Sequence, residues 1–364
     1  MSGTRKAVLI GAEVYRAAIA APPHPLATMR APVAEDLIRA MGWLAAGQYR
    51  TAPVAERAAL ERFHDPAYLD ALEAAKRTQE VPAEARARFG IGAEGNPVHR
   101  AVYRRPATSA GGAMLAARLT AEGGVAHVPA AGNHHAWPAR ASGFCYITDA
   151  VLALMEWLDL GLERLVYLDL DAHHGDGVEA AFARDGRVTT ISVHEAGRWP
   201  RTGWTSDAAA GVFNFAVPEG FCDAELAFLM EARIVPAIAA ARPEGIVFLP
   251  GADALADDPM SRLALSNRGL WAALEAIRGL APRLIVLGGG GYNPYALGRA
   301  WAGLWGMLNG HTVPAALPQA ALDVLAGISY FRGQSRPRPA HWLTRLDDPP
   351  QAGLVRDEVR RLAA

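Results

Sequence analysis

The densest chemistry in the chain lies in RLVYLDLDAHHGDGVEAAF, residues 164–182. An apolar stretch there ends in Asp169-Leu170-Asp171, and the two-residue period of a strand sends Asp169 and Asp171 to one face. His173 continues that alternation, so Asp171 and His173 converge at the strand's end. A carboxylate and an imidazole two residues apart make half of a divalent-metal site. Burying three carboxylates and two histidines within residues 169–176 is costly without partners or a cation. The alternative is a polar loop that caps the next helix.

The other half stands in FLPGADALADDPM, where a second apolar run is followed by Gly251 and Asp253. A lone aspartate there would be read as a helix cap. It gains force because a catalytic zinc usually has three protein ligands and an open position for water. Asp171, His173 and Asp253 supply that count. Adjacent His134 and His135, in AAGNHHAWPARASGFCY, are candidates for acid–base work. A buried imidazole needs an orienting acceptor. Asp169 and Asp176 are free for that role, so two His–Asp dyads use all four residues. In IVLGGGGYNPYALGRAW four glycines, 288–291, precede Tyr292. No GK[ST] follows, and the spacing is not that of a dinucleotide fingerprint, which argues against a phosphate cradle. A flexible turn that lets the tyrosine hydroxyl reach a developing oxyanion fits better.

The elements that must position these residues follow from periodicity. Short apolar runs at 7–10, 124–128, 164–169, 188–193, 245–249 and 283–287 read as buried strands. Helical spacing recurs over 108–119, 149–158, 224–241 and 263–277, and a short terminal helix over 354–362. Such alternation predicts an α/β fold with a parallel sheet covered on both faces. Ligands in open α/β sheets bind outside the carboxyl ends of the strands, where these polar clusters fall. Residues 79–105 read as loop. A single domain over residues 1–364 is expected, with 314–364 as a C-terminal wrapping tail rich in Pro and Arg.

Composition bounds the rest. The chain is 51% hydrophobic and 20% charged with a net charge of −1, so no nucleic-acid or anionic-membrane partner is expected. Two cysteines, Cys145 and Cys222, make no disulfide framework. With no signal peptide or spanning segment read, the expected location is cytoplasmic. Only Lys6 and Lys76 among the 36 basic residues are lysines. With the high alanine content this reads as GC-rich coding and a bacterial source.

NHHAWPARASGFCY, DLDAHHGDG, SVHEAGRWPRTG, GADALADDPM and GGGGYN occur in the order of the histone deacetylase superfamily. The chain resembles that family, and most nearly its bacterial class I-like, acetoin-utilisation-type members. The resemblance implies a single-domain arginase–deacetylase fold with a parallel eight-stranded sheet and helices on both faces. It implies a zinc-dependent deacetylase, with ferrous iron as the alternative metal, acting on an acetylated lysine side chain or an acetylated small amine. Asp171, His173 and Asp253 match the metal ligands, and Tyr292 the oxyanion tyrosine. His135, paired with Asp176, matches the general base and acid, while His134, paired with Asp169, is mainly electrostatic. Gly143, Phe144 and Trp199 match the substrate tunnel, Met260 its apolar rim, and Glu94 lies near the rim acid that grips substrate. Arg30 matches an arginine behind the site that helps acetate leave. A potassium site is implied at Asp169, Asp171, His173, Ser192 and Val193, largely through backbone carbonyls. Asn133 and the Leu249-Pro250 pair depart from the family's usual residues.

Three competing readings are open. A ureohydrolase needs a DAHxD motif, and Gly175 stands where its second aspartate belongs, with Ala254 and Leu255 after Asp253. An acetylpolyamine amidohydrolase calls for acids at the pocket mouth, for which Asp257, Asp258 and Glu94 are candidates. A catalytically inactive acetyl-lysine binding module would be expected to lack a ligand or the tyrosine, and neither is missing. A homo-oligomer, with the late Arg/Pro-rich segment against a second subunit, is also compatible.

Overall fold

The computed structural model describes residues 6–21, 23–93, 95–331, 338–349, 351 and 353–363. Its strands are β1 (Val8–Gly11), β2 (Tyr49–Thr51), β3 (Gly124–Val128), β4 (Leu165–Asp169), β5 (Val188–Glu195), β6 (Val212–Val217), β7 (Gly245–Leu249) and β8 (Arg283–Leu287). They form one sheet in the order β2-β1-β3-β8-β7-β4-β5-β6, and every pairing is parallel. This is the eight-stranded parallel sheet that the resemblance implies.

The central strands are continuous apolar runs because both faces are covered. Along β4, Val166 and Leu168 join one core while Leu165 and Tyr167 join the other. The same alternation splits β7 into Ile246 and Phe248 against Val247 and Leu249. Helices Ala31–Ala40, Asn267–Ile277 and Pro294–Leu308 cover the first face. Helices Arg104–Leu119, Asp149–Asp159 and Asp176–Phe182 cover the second.

Several expectations need correction. The edge strands β2 and β6 are not evident from apolar runs: β2 has only three residues, and polar Asn214 interrupts β6. The expected loop 79–105 contains a helix, Ala83–Phe89, closed by Gly90 in the left-handed conformation. The expected helix 224–241 is divided into Asp223–Leu229, a π-helical turn Met230–Ile234 and Val235–Ala241. Pro236 has no N–H for the carbonyl four residues back, which accounts for the break. The 263–277 helix begins only at Asn267, where the Ser266 side chain caps it by accepting the Gly269 N–H. The terminal helix begins at Asp357, and Arg356 before it forks onto both carboxylate oxygens of Glu225, at 2.6 and 2.8 Å. Upstream, buried Asp348 pairs with the fully buried Arg299 at 2.6 Å.

Candidate active site

Strands β3, β8, β7 and β4 are consecutive neighbours in the sheet. Their carboxyl ends deliver the NHH segment, the glycine run with Tyr292, Asp253, and the Asp171/His173 pair respectively. Asp171, His173 and Asp253 are buried, and their ligand atoms all lie within 4.8 Å of one another. The His173 Nδ1 stands 3.0 Å from Asp253 Oδ2 and 3.2 Å from Asp171 Oδ1. Two buried carboxylates this close repel unless positive charge sits between them. Burial works against charge on His173, yet the two carboxylates outweigh it and lift the imidazole to about 10. Positive charge between the carboxylates is favoured, and two oxygen donors with one nitrogen donor could hold a divalent metal in place of that proton.

The tandem histidines lie beside that point, their ring centroids 3.9 Å apart. His134 Nδ1 meets Asp169 Oδ2 at 2.7 Å, and His135 Nδ1 meets Asp176 Oδ1 at 2.7 Å. Tyr167 Oη donates to the same Asp169 oxygen at 2.7 Å, which fixes that carboxylate. The two environments drive the imidazoles apart. Burial alone would keep His134 neutral, but Asp169 and Asp171 raise it to about 9. Burial, reinforced by the charge of His134, lowers His135 to about 3. The Tyr292 phenol is raised well above its ordinary value by burial, so it remains a hydrogen-bond donor.

The glycine run turns the chain, with Gly289 at φ +84° and Gly291 at φ +138°, and it also packs tightly. Gly290 N–H donates to Asp171 Oδ2 at 2.6 Å, and a Cβ on Gly290 would stand 2.0 Å from Asp253 Oδ2. Only a residue without a side chain lets this backbone lie against both carboxylates. Gly143, at φ +51°, is likewise covered by Trp199, whose ring would be 2.4 Å from a Cβ there.

The wall residues separate into two groups. Trp199, 41% exposed, packs edge-on against His135 at 4.7 Å between centroids. Phe144 packs against Tyr292 at 5.8 Å. Arg30 lines the same cavity, holds the Gly289 carbonyl and lies 5.5 Å from the Tyr292 ring. Met260, the rim residue of the resemblance, is half-buried, its backbone held by Asp258 and Arg198. Glu94 lies outside the described residues. Ser192 is the register partner of Asp169 on β5, with Val193 buried next to it, so both adjoin the Asp169–His173 backbone.

Three further residues hold the site in place, of which the sequence raised only Asp258, and for a different role. Asp258, buried, accepts the N–H groups of Tyr292 (2.6 Å), Asn293 (3.1 Å) and Met260 (2.9 Å). Asp149 accepts from Gly132 (2.8 Å) and Asn133 (3.0 Å), and thereby fixes the turn before the histidines. Asn96, 1% exposed, accepts the Phe144 N–H at 2.8 Å and supports that residue's left-handed φ of +67°. An aspartate five residues beyond the Asp253 ligand is the one sequence signal that could have found Asp258. Neither acid considered for a pocket mouth is free. Asp258 faces these backbone groups, and Asp257 accepts from Trp342 Nε1 at 2.6 Å and meets His341 Nε2 at 3.2 Å.

A parallel eight-stranded sheet with such a cluster at its carboxyl edge defines a protein of the arginase–deacetylase fold. The histone deacetylase domain pattern matches residues 24–308. Among curated proteins, histone deacetylase 8 of Xenopus tropicalis is 31% identical over 299 residues, covering 79% of this chain and 80% of that one. The acetoin utilization protein AcuC of Bacillus subtilis is 30% identical over 333 residues, 85% of each chain. A solved HDAC homolog complexed with SAHA superposes with a TM-score of 0.93 at 32% identity, covering 99% of both chains. The HDAC homolog from Aquifex aeolicus gives 0.91 at 31% identity over the same coverage. The chain belongs to the histone deacetylase family, a family of hydrolases.

Proposed function

We propose that the chain is a metal-dependent deacetylase that hydrolyses the acetamide of an acetyl-lysine-type substrate to free amine and acetate. The observation that carries this reading is the convergence of Asp171, His173 and Asp253 beside two His–Asp dyads and Tyr292. Zinc, with ferrous iron as the alternative, is held by Asp171, His173 and Asp253, and when bound it polarises the amide carbonyl and acidifies water. His135 is the general base. It is neutral, its Nδ1 is engaged by Asp176, and its Nε2 accepts the proton of the attacking water. The same nitrogen then protonates the departing amine. His134, braced by Asp169, favours the negative charge that develops. Tyr292 donates its hydroxyl to the carbonyl oxygen as it becomes an oxyanion. Phe144 and Trp199, with Gly143, shelter the methylene stem of the substrate. Asp169, Asp171, His173, Ser192 and Val193 would hold a potassium ion, which would support the loop that carries two of the metal ligands.

The tied-down state of Asp257 and Asp258 favours acetyl-lysine over an acetylpolyamine. We further read the chain as one domain with a wrapping tail, working in the cytoplasm without nucleic acid or membrane. Among the described residues, no helix is long and apolar enough to cross a membrane. The test is turnover of the zinc-loaded protein on an acetyl-lysine peptide and on acetylated polyamines, with and without chelator. Chelator-sensitive release of acetate from the peptide is the expected result. A protein that binds one zinc and hydrolyses neither substrate refutes the proposal.

A further inference from the structure

Behind the catalytic cavity lies a second one of about 100 Å3. The two share Leu26, Arg30, Asn133 and Phe144 as walls, so only these side chains stand between them. Two guanidiniums line the second cavity, Arg30 and Arg105. Arg30 donates to the Gly289 carbonyl, and Arg105 donates to the Ala17 carbonyl at 2.7 Å. Each guanidinium carries five N–H donors, so most of this capacity is not taken up by those two bonds. Among the described residues, neither arginine has a carboxylate within ion-pair distance. The buried Asp149, behind Ser109 and Asn133, is occupied by those two residues and by Gly132. The Thr28 hydroxyl and the Arg30 Nε also line this region, both buried and without a hydrogen-bond partner. Burial pulls the Arg105 guanidinium down to about 10, and the like charge of Arg30 adds to the effect. Cations that share an enclosed space without an anion leave a charge-assisted, potentially bidentate carboxylate site open.

We propose that this cavity receives the far end of an acyl group bearing its own carboxylate, so that ω-carboxyacyl amides such as succinyl-lysine are substrates. The inference rests on the amide-hydrolase reading above and adds the acyl class to it. A neutral acyl chain of the same length would lay hydrocarbon against two guanidiniums, which strips them of water with nothing in return. A carboxylate replaces that water with charged hydrogen bonds. The reaction is otherwise that of the acetamide. The water oxygen joins the acyl carbon, the C–N bond breaks, the amine takes the proton from His135, and a dicarboxylate leaves.

The test compares kcat/KM of the zinc-loaded protein on lysine peptides bearing acetyl, butyryl or succinyl groups. Butyryl and succinyl differ only in a terminal methyl or carboxylate. Succinyl is expected to exceed butyryl by about tenfold or more, the size of one hydrogen bond to a charged group. Arg105→Gln should bring that ratio to about one, and Arg105→Lys should retain part of it. Succinyl at or below butyryl, with acetyl hydrolysed, overturns the proposal and leaves the deacetylase standing. Calorimetric titration with free succinate and butyrate gives an independent reading. Tighter succinate binding that Arg105→Gln abolishes supports the anion site even if no peptide is cleaved, in which case the hydrolase reading is the one that fails. Equal binding of the two acids overturns the proposal.

Discussion

Gly290→Ala should weaken the proposed metal site without altering a ligand. The added Cβ would stand 2.0 Å from Asp253 Oδ2 and 2.8 Å from Asp171 Oδ2. Real contacts of this kind essentially never fall under 3.0 Å, so Asp253 or the loop must yield by at least 3.0 − 2.0 = 1.0 Å. Asp253 has little freedom to do so, since it accepts the Ala172 N–H at 3.0 Å and faces His173 at 3.0 Å. Coordination distances tolerate roughly 0.2 Å. If the loop yields instead, the Gly290 N–H to Asp171 bond opens, a loss of about 2 kcal/mol for a charged acceptor. Either route weakens metal binding by about 30- to 100-fold, in the range seen when residues supporting metal ligands are altered. The assay is bound zinc per chain across a series of competing chelators, with thermal unfolding of the metal-free protein alongside. The metal-free variant should lose no more than about 1–3 kcal/mol, the usual cost of one extra methyl in a packed site. Wild-type zinc affinity in Gly290→Ala would show that the glycine run does not serve close approach to the carboxylates.

Two further outcomes are expected. Tyr292→Phe should lower kcat by about 100- to 1000-fold, as removal of one oxyanion donor does, while bound metal and Tm stay near wild type. Unchanged turnover removes the tyrosine from the chemistry. Folding stability should fall on the acid side through His64, whose Nε2 accepts the Thr148 N–H at 3.1 Å while Nδ1 faces the Pro138 carbonyl at 3.2 Å. Burial lowers this imidazole from 6.5 to about 4, so between those values the unfolded chain binds more protons than the folded one. Stability is therefore present above pH 6.5 and lost as the pH falls toward 4, at up to about 1.4 kcal/mol per pH unit for this group. Urea unfolding of His64→Gln across that window should show a shallower slope; an identical slope refutes the assignment.

What could be read from the chain, and what could not, divides by distance along it. Asp169, Asp171 and His173 announce themselves as a polar cluster at the end of an apolar run, but only Asp169 lies on β4, and Asp171 and His173 converge through the bend that follows it. The central strands were legible because burial on both faces leaves uninterrupted apolar runs. The edge strands were not, since β2 and β6 need no such run. Asp258 carries only its place after Asp253, and Asp149 and Asn96 carry no local signal. Each satisfies backbone N–H groups brought from 34, 16 and 48 residues away, and no periodicity encodes that. The four glycines answer two needs, of which the chain shows only the first: Gly289 and Gly291 take positive φ, while the crowding at Gly290 comes from neighbours in space.

The arrival of ligands from separate strands has a consequence for how the protein assembles. Asp171 and Asp253 are brought together only when β4 and β7 are paired in register across the middle of the sheet. No contiguous fragment of the early chain can present the complete donor set, so metal capture cannot nucleate folding. It instead rewards completion, adding RT ln(1 + [M]/Kd) to the native state alone. An ion bound there would act as a latch on finished topology, and its removal should loosen the shared sheet on which both strands depend.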